Sequence, residues 1–147
     1  MPSVSASEEF EIQNSLDECW RLVSNLLSVG ACIPGCESIT PIDLTSADFR
    51  VKLRVGYISK TLELRARIKE SNAPSHFSFV ASGSDAEIMG AIDLISNSPK
   101  TTKLSYHIEI TPISVTGKTA MAMMGKELVK KQASEFASCV KSKLEEP

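Results

Sequence analysis

The sequence predicts an α+β protein in which a curved antiparallel sheet wraps around one long C-terminal helix. Three observations carry this expectation. From Ile39 to Ile110 apolar residues recur at every second position, and turn signals interrupt them at intervals. From about Gly117 to Leu144 they recur at helical spacing. Between the opening segment and the first alternating strand stands Ala31-Cys32-Ile33-Pro34-Gly35-Cys36. Pro34 lacks a backbone donor and restricts Ile33 to extended conformations, while Gly35 can take positive φ, so this stretch reads as a sharp corner.

The elements follow in order. A short strand pattern, Glu9-Phe10-Glu11-Ile12, opens the chain. Ser15, with Glu18 three positions later, forms a capping box, and Leu16, Cys19, Trp20, Val23, Leu26 and Leu27 share a helical face. Gly30 and the Pro34-Gly35 corner end this two-part helix. Phe49, Val51, Leu53 and Val55 then alternate with Arg50, Lys52 and Arg54, and Leu62, Leu64, Ala66 and Ile68 alternate with Glu63, Arg65, Arg67 and Lys69. Gly56-Tyr57-Ile58-Ser59 connects these two strands as a hairpin. Turns at Asn72-Ala73-Pro74, Gly83-Ser84-Asp85 and Asn97-Ser98-Pro99 separate three more strands, centred on Phe77/Phe79, Ile88/Ile92 and Tyr106/Ile108. Alternation of this kind means one dry and one wet face, hence an antiparallel sheet whose charged residues pair across strands on the wet side. Only the terminal helix is long enough to cover the dry face, with a stripe of Met121, Met124, Leu128, Gln132/Ala133, Phe136, Val140 and Leu144. The N-terminal helix closes one edge.

Composition excludes several function classes. A chain of 147 residues is expected to form one domain, 1–147, and to bury enough surface to need no staple. Its net charge of −2 argues against nucleic acid as a partner. No apolar run approaches the ~18 residues of a membrane span, and the first residues lack the basic and apolar regions of a signal peptide. The expected location is therefore cytoplasmic, with at most peripheral membrane contact. Cys19, Cys32, Cys36 and Cys139 read as free thiols, because disulfides are rare in that compartment. Cys32 and Cys36 flank a turn with no second Cys or His pair nearby, and His76 and His107 are isolated on strands, so no metal is expected. No phosphate loop, zinc-protease helix motif or nucleophile elbow is present, and no cofactor is expected. Asp85, Glu87 and Asp93 read as a solvated turn and an outward strand face.

The terminal helix points to binding rather than catalysis. Its first half, Gly117-Lys118-Thr119-Ala120-Met121-Ala122-Met123-Met124-Gly125, consists mostly of small residues and methionines. Small residues leave volume unfilled, and methionines adapt to irregular shapes. An apolar cavity is thus expected between Met121/Met124 and the strand residues Leu53, Leu64, Phe79, Tyr106 and Ile108, with Tyr106 as its polar handle. The bland alternative is that the methionines merely fill gaps in the core. Inward faces offer only Tyr106 and Cys19 as acid or base groups, so no catalytic residue is assigned. The outer helix face carries Lys118, Lys126, Lys130, Lys131, Lys141 and Lys143; it reads as a solvated face or as a weak contact for anionic lipid or an acidic partner.

Trp20, Ile33-Pro34-Gly35-Cys36, Val55-Gly56-Tyr57-Ile58 and the stretch from Gly83 to Gly90 carry a family resemblance. Over nearly its whole length the chain resembles the carbon monoxide dehydrogenase G-subunit family of the START/Bet v 1-like, helix-grip superfamily. The resemblance implies a helix-grip fold and an accessory protein for a molybdenum-containing CO dehydrogenase-type hydroxylase, which it recruits to the membrane or links to quinone. The implied ligand is a quinone or lipid-like molecule. Many relatives carry a C-terminal extension that reaches the membrane; this sequence stops at Pro147, so autonomous anchoring is not expected. A small cyclase- or dehydratase-like enzyme of the same fold, or a pure protein–protein module, is the alternative.

Overall fold

The computed structural model describes residues 3–55 and 57–145, apart from the side chains of Val55, Ile58, Ala120, Met123 and Met124. The elements run β1 (Val4–Ile12), α1 (Leu16–Val23), α2 (Leu26–Gly30), β2 (Cys36–Pro41), β3 (Ser46–Val55), β4 (Ile58–Asn72), β5 (His76–Ser82), β6 (Ala86–Ser98), β7 (Thr101–Pro112) and α3 (Val115–Glu145). All seven strands form one antiparallel sheet, ordered β1-β7-β6-β5-β4-β3-β2. Because β1 and β2 are opposite edges, α1 and α2 carry the chain across the open face between them. Register shifts at Cys36/Ser38, Ile68/Glu70 and Ser96/Ser98 mark bulges, which bend the strands they interrupt.

Local chemistry explains most boundaries. The Ser15 hydroxyl accepts from Glu18 N–H at the start of α1, and the Asn25 side chain accepts from Leu27 and Ser28 N–H at the start of α2. Gly35 sits at φ 81°, and its carbonyl accepts from Lys52 N–H at 2.8 Å, which pins the corner to β3. The wet face pairs its charges as expected, Arg50 with Glu63 and Arg65 with Asp48, although solvent screens such exposed pairs and they add little to stability.

Four expectations need correction. β1 begins at Val4 rather than Glu9, because it pairs with β7 over its whole length. α3 is not one straight helix: Gly125 adopts φ 53°, ψ −150° and splits it into two parts. Cys32 and Cys139 are not free thiols but form a disulfide across 107 residues, leaving Cys19 and Cys36 as free cysteines. His76 is not isolated, since its Nδ1 lies 2.6 Å from Asp93 on β6 and its Nε2 lies 3.6 Å from Glu70 on β4.

The hydrogen bond to Asp93, helped by the nearby Glu70 charge, raises the His76 pKa above its ordinary 6.5 despite an opposing desolvation penalty. A raised folded-state pKa means that this contribution to stability is complete below pH 6.5 and is lost as pH rises through the folded value. In an NMR titration the His76 ring is therefore expected to protonate at higher pH than a model histidine. Asp93→Asn should move that midpoint down; an unchanged midpoint would remove Asp93 as the cause.

The dry face carries two hydrophobic clusters. One joins β1, β6, β7, α1 and α3 through Ile12, Val23, Ile92, Leu104, Tyr106, Val129, Phe136 and Val140. The other joins α2 to β3, β4 and β5 through Leu26, Phe49, Val51, Leu62, Leu64 and Ala81. α3 packs chiefly on β1 and β7, so it seals only one half of the curved sheet.

Candidate functional site

The space between the two clusters is an apolar cavity of about 120 Å³. Strand alternation builds its walls: Phe49, Val51 and Leu53 from β3; Leu62, Leu64 and Ala66 from β4; Phe79 and Ala81 from β5; Ala86 and Ile88 from β6. β7 supplies Tyr106, Ile108, Ile110 and Pro112, a run of about 20 Å at ~3.3 Å per residue. α2 adds Leu26 and Val29, the corner adds Ile33 and Pro34, and α3 adds Gly117, Met121, Leu128, Gln132 and Phe136. Of the residues singled out in the sequence, Leu53, Leu64, Phe79, Tyr106, Ile108 and Met121 all line this space. The Met124 side chain lies outside the described residues.

Besides Gln132 of α3, polar groups enter at two places. Tyr106 is 4% exposed and stacks at a tilt on Phe136, with ring centroids 4.4 Å apart. Burial alone pushes its phenol well above the ordinary tyrosine value, and no described residue hydrogen-bonds it, so it is a neutral hydroxyl able to donate. At the other end, Lys60 Nζ lies 3.2 Å from Asp85 Oδ2, and Ser114 Oγ donates to Asp85 Oδ1 at 2.7 Å. The Ser114 hydroxyl and the Lys60 ammonium hold the Asp85 carboxyl below its usual range. Asp85 is thus not the solvated turn residue its neighbours suggested: it lines the cavity and ties β4 to the start of α3. Lys60 could have been found from strand parity, because it shares the even-numbered inward face of Leu62 and Leu64. Asp85 had no such signal, since it sits in a turn. Cys19 is fully buried but is not among the cavity-lining residues; its thiol pKa is raised chiefly by burial.

Among the described residues no group of three or more His, Cys, Asp and Glu could hold a metal ion, and no helix is long and apolar enough to cross a membrane.

The family model described as the carbon monoxide dehydrogenase G subunit (CoxG) matches residues 9–145. No curated protein matches the sequence. Among solved structures, a START superfamily protein from Mycobacterium smegmatis is similar with a TM-score of 0.75 at 11% identity, covering 95% of this chain and 96% of that one. A conserved protein from Geobacillus kaustophilus has a TM-score of 0.73 at 16% identity, over 96% and 95% of the two chains. The Zhui aromatase/cyclase of a Streptomyces species has a TM-score of 0.71 at 11% identity, over 97% and 94%. At these identities the likeness shows the fold, a START/Bet v 1-like helix grip.

Proposed function

The chain belongs to the carbon monoxide dehydrogenase G-subunit (CoxG) family, and from that premise we propose that it is a non-catalytic accessory protein holding an apolar ligand, a quinone or lipid-like molecule, between sheet and α3. The enzyme it serves is a CO dehydrogenase-type molybdenum hydroxylase. The observation that carries the ligand reading is the apolar space left where α3 covers only half of the sheet, with Tyr106 as a donor at its inner end. Such a donor matches a ligand carbonyl. A volume of about 120 Å³ is near the roughly 150 Å³ that admits one benzene ring. It suits a quinone headgroup, with the tail leaving through the mouth beside Gly117. The break at Gly125 allows the first part of α3 to adjust without disturbing the second.

The pairing of Lys60 with Asp85 favours the second reading, a small enzyme, because both groups line the cavity and carry opposite charge. Their exposure of 35% and 18% puts them at the mouth rather than around an enclosed reacting centre, which supports binding instead.

Titration with short-chain quinones, fluorescent fatty acids and sterols, followed by Trp20 emission and thermal shift, tests the proposal. Saturable quinone binding is expected. Tyr106→Phe should weaken it by roughly threefold to tenfold, the worth of one neutral hydrogen bond. Ala81→Phe should fill the space and abolish uptake with little change in melting temperature. If no ligand binds and Ala81→Phe instead costs the ~1–3 kcal/mol of an overpacked core, the cavity reading fails and a protein–protein module stands in its place.

A further inference from the structure

One polar side chain of α3 lines the cavity without a partner. In the second part of this helix Val129, Ala133 and Val140 are buried in the first cluster, while Leu128, Gln132 and Phe136 recur at four-residue steps and line the cavity. Residues four apart lie one above the other on a helix, so these three form one stripe. Gln132 is its middle member, between two apolar neighbours. It is partly buried, and among the described residues its carboxamide has no hydrogen-bond partner. An amide taken out of water without a partner costs free energy, whereas leucine there would fill the stripe without that cost. A polar group in this position calls for a partner that the folded chain does not supply.

A second such group lies close by. Tyr106 is 4% exposed, its hydroxyl has no hydrogen-bond partner among the described residues, and its ring rests on Phe136. Four residues of helix rise about 6 Å, so Gln132 stands one turn from Phe136 toward the start of α3 and the mouth. Two oxygens on opposite carbons of a six-membered ring are separated by about the same span. Among the described lining residues the charged ones are Lys60 and Asp85, and they are paired with each other at the mouth. A carboxylate entering the cavity would therefore find no free cation to meet it.

The geometry points to Gln132 as a specificity-determining residue, which holds the outer oxygen of a neutral ring whose inner oxygen is held by Tyr106. This inference rests on the binding reading above and adds the ligand class it selects: a ring oxygenated at both ends, in preference to a fatty acid or a sterol with a single hydroxyl. Both anchors exchange roles freely. A phenol hydroxyl donates or accepts, and a carboxamide offers its N–H to a carbonyl or its oxygen to a hydroxyl. The pair thus accepts a para-dione and the corresponding diol with similar affinity.

Equilibrium dialysis of the full chain against four probes of one shape is the test. Duroquinone, durohydroquinone, tetramethylphenol and durene carry two carbonyls, two hydroxyls, one hydroxyl and no oxygen. The ring methyls leave duroquinone no open carbon for the free Cys36 thiol to attack. The wild type should bind the two-oxygen probes alike, tetramethylphenol more weakly and durene most weakly. Gln132→Met keeps the shape without the amide. It should lose roughly threefold to tenfold on both two-oxygen probes, the worth of one neutral hydrogen bond, and nothing on tetramethylphenol, whose single hydroxyl turns to Tyr106. Tyr106→Phe should show the same pattern, and the double variant should lose affinity for tetramethylphenol as well. Durene should bind every variant alike. Unchanged melting curves control for folding, and Gln132→Leu repeats the test with a second apolar shape. Wild-type affinity of Gln132→Met for duroquinone overturns the proposal and makes Gln132 a side chain solvated through the mouth. An equal loss on durene also overturns it, since the role is then one of packing. In both results the wild type still binds, so the binding reading stands. A wild type that takes up none of the four probes saturably refutes that reading, and the assignment of Gln132 falls with it.

Discussion

Reduction of the Cys32–Cys139 disulfide is expected to lower the free energy of unfolding by about 4 kcal/mol. The bond closes a loop of 107 residues, and a cross-link of that span removes a large share of the unfolded chain's freedom; the chain-entropy account gives about 4.7 kcal/mol for a 100-residue loop, against a typical 2–4. It also joins the residue beside the corner, where Ile33 and Pro34 line the cavity, to the second part of α3. Chemical denaturation with and without a dithiol reductant measures the effect, and Cys139→Ala should reproduce it. Thiol counting supplies the independent check. Denatured, unreduced protein should expose two reactive thiols, Cys19 and Cys36, and reductant should reveal two more. Four thiols without reductant, or a midpoint indifferent to it, would refute the pairing.

Gly35→Val is expected to cost about 3 kcal/mol or more. Gly35 lies at φ 81°, where a β-branched residue is strained by roughly 1–3 kcal/mol. A Cβ there would also stand 2.1 Å from the Lys52 carbonyl oxygen, which is backbone and cannot swing aside. Relieving that clash would move the corner off β3 and break the Lys52–Gly35 hydrogen bond, worth about 1 kcal/mol more. Gly125→Ala is the matched comparison: its φ is also positive, at 53°, but nothing lies within 4 Å of its Cβ position. It should lose less stability than Gly35→Val in urea unfolding. Equal losses would show that backbone strain alone, and not the close approach to β3, sets the cost at the corner.

The alternating strands were legible because the sheet is wet on one face, which forces inward and outward residues to differ in kind at every step of β3, β4 and β7. Lys60 shows the same rule working against intuition: its parity places it inward, and a charge there is tolerated only because Asp85 meets it at the mouth. The start of β1 was missed because Val4-Ser5-Ala6-Ser7 has weak local preference and is a strand only by virtue of its partner β7. The kink in α3 was missed because one glycine inside a helical pattern is usually absorbed without a break.

By itself the sequence determined the order of the elements other than β2, the antiparallel sheet, the corner at Pro34-Gly35 and the apolar inward face on which Leu53, Leu64, Phe79, Tyr106 and Ile108 lie. Each of these is decided within a few residues, by side-chain period, capping or backbone restriction. Only the tertiary structure decided that α3 would lean on β1 and β7 and leave a space beneath β3, β4 and β5. It alone joined Cys32 to Cys139 and gathered Lys60, Asp85 and Ser114 at one opening. These are contacts between residues from 25 to 107 positions apart, and they depend on the curvature of the whole sheet, for which no single stretch of chain carries the instruction.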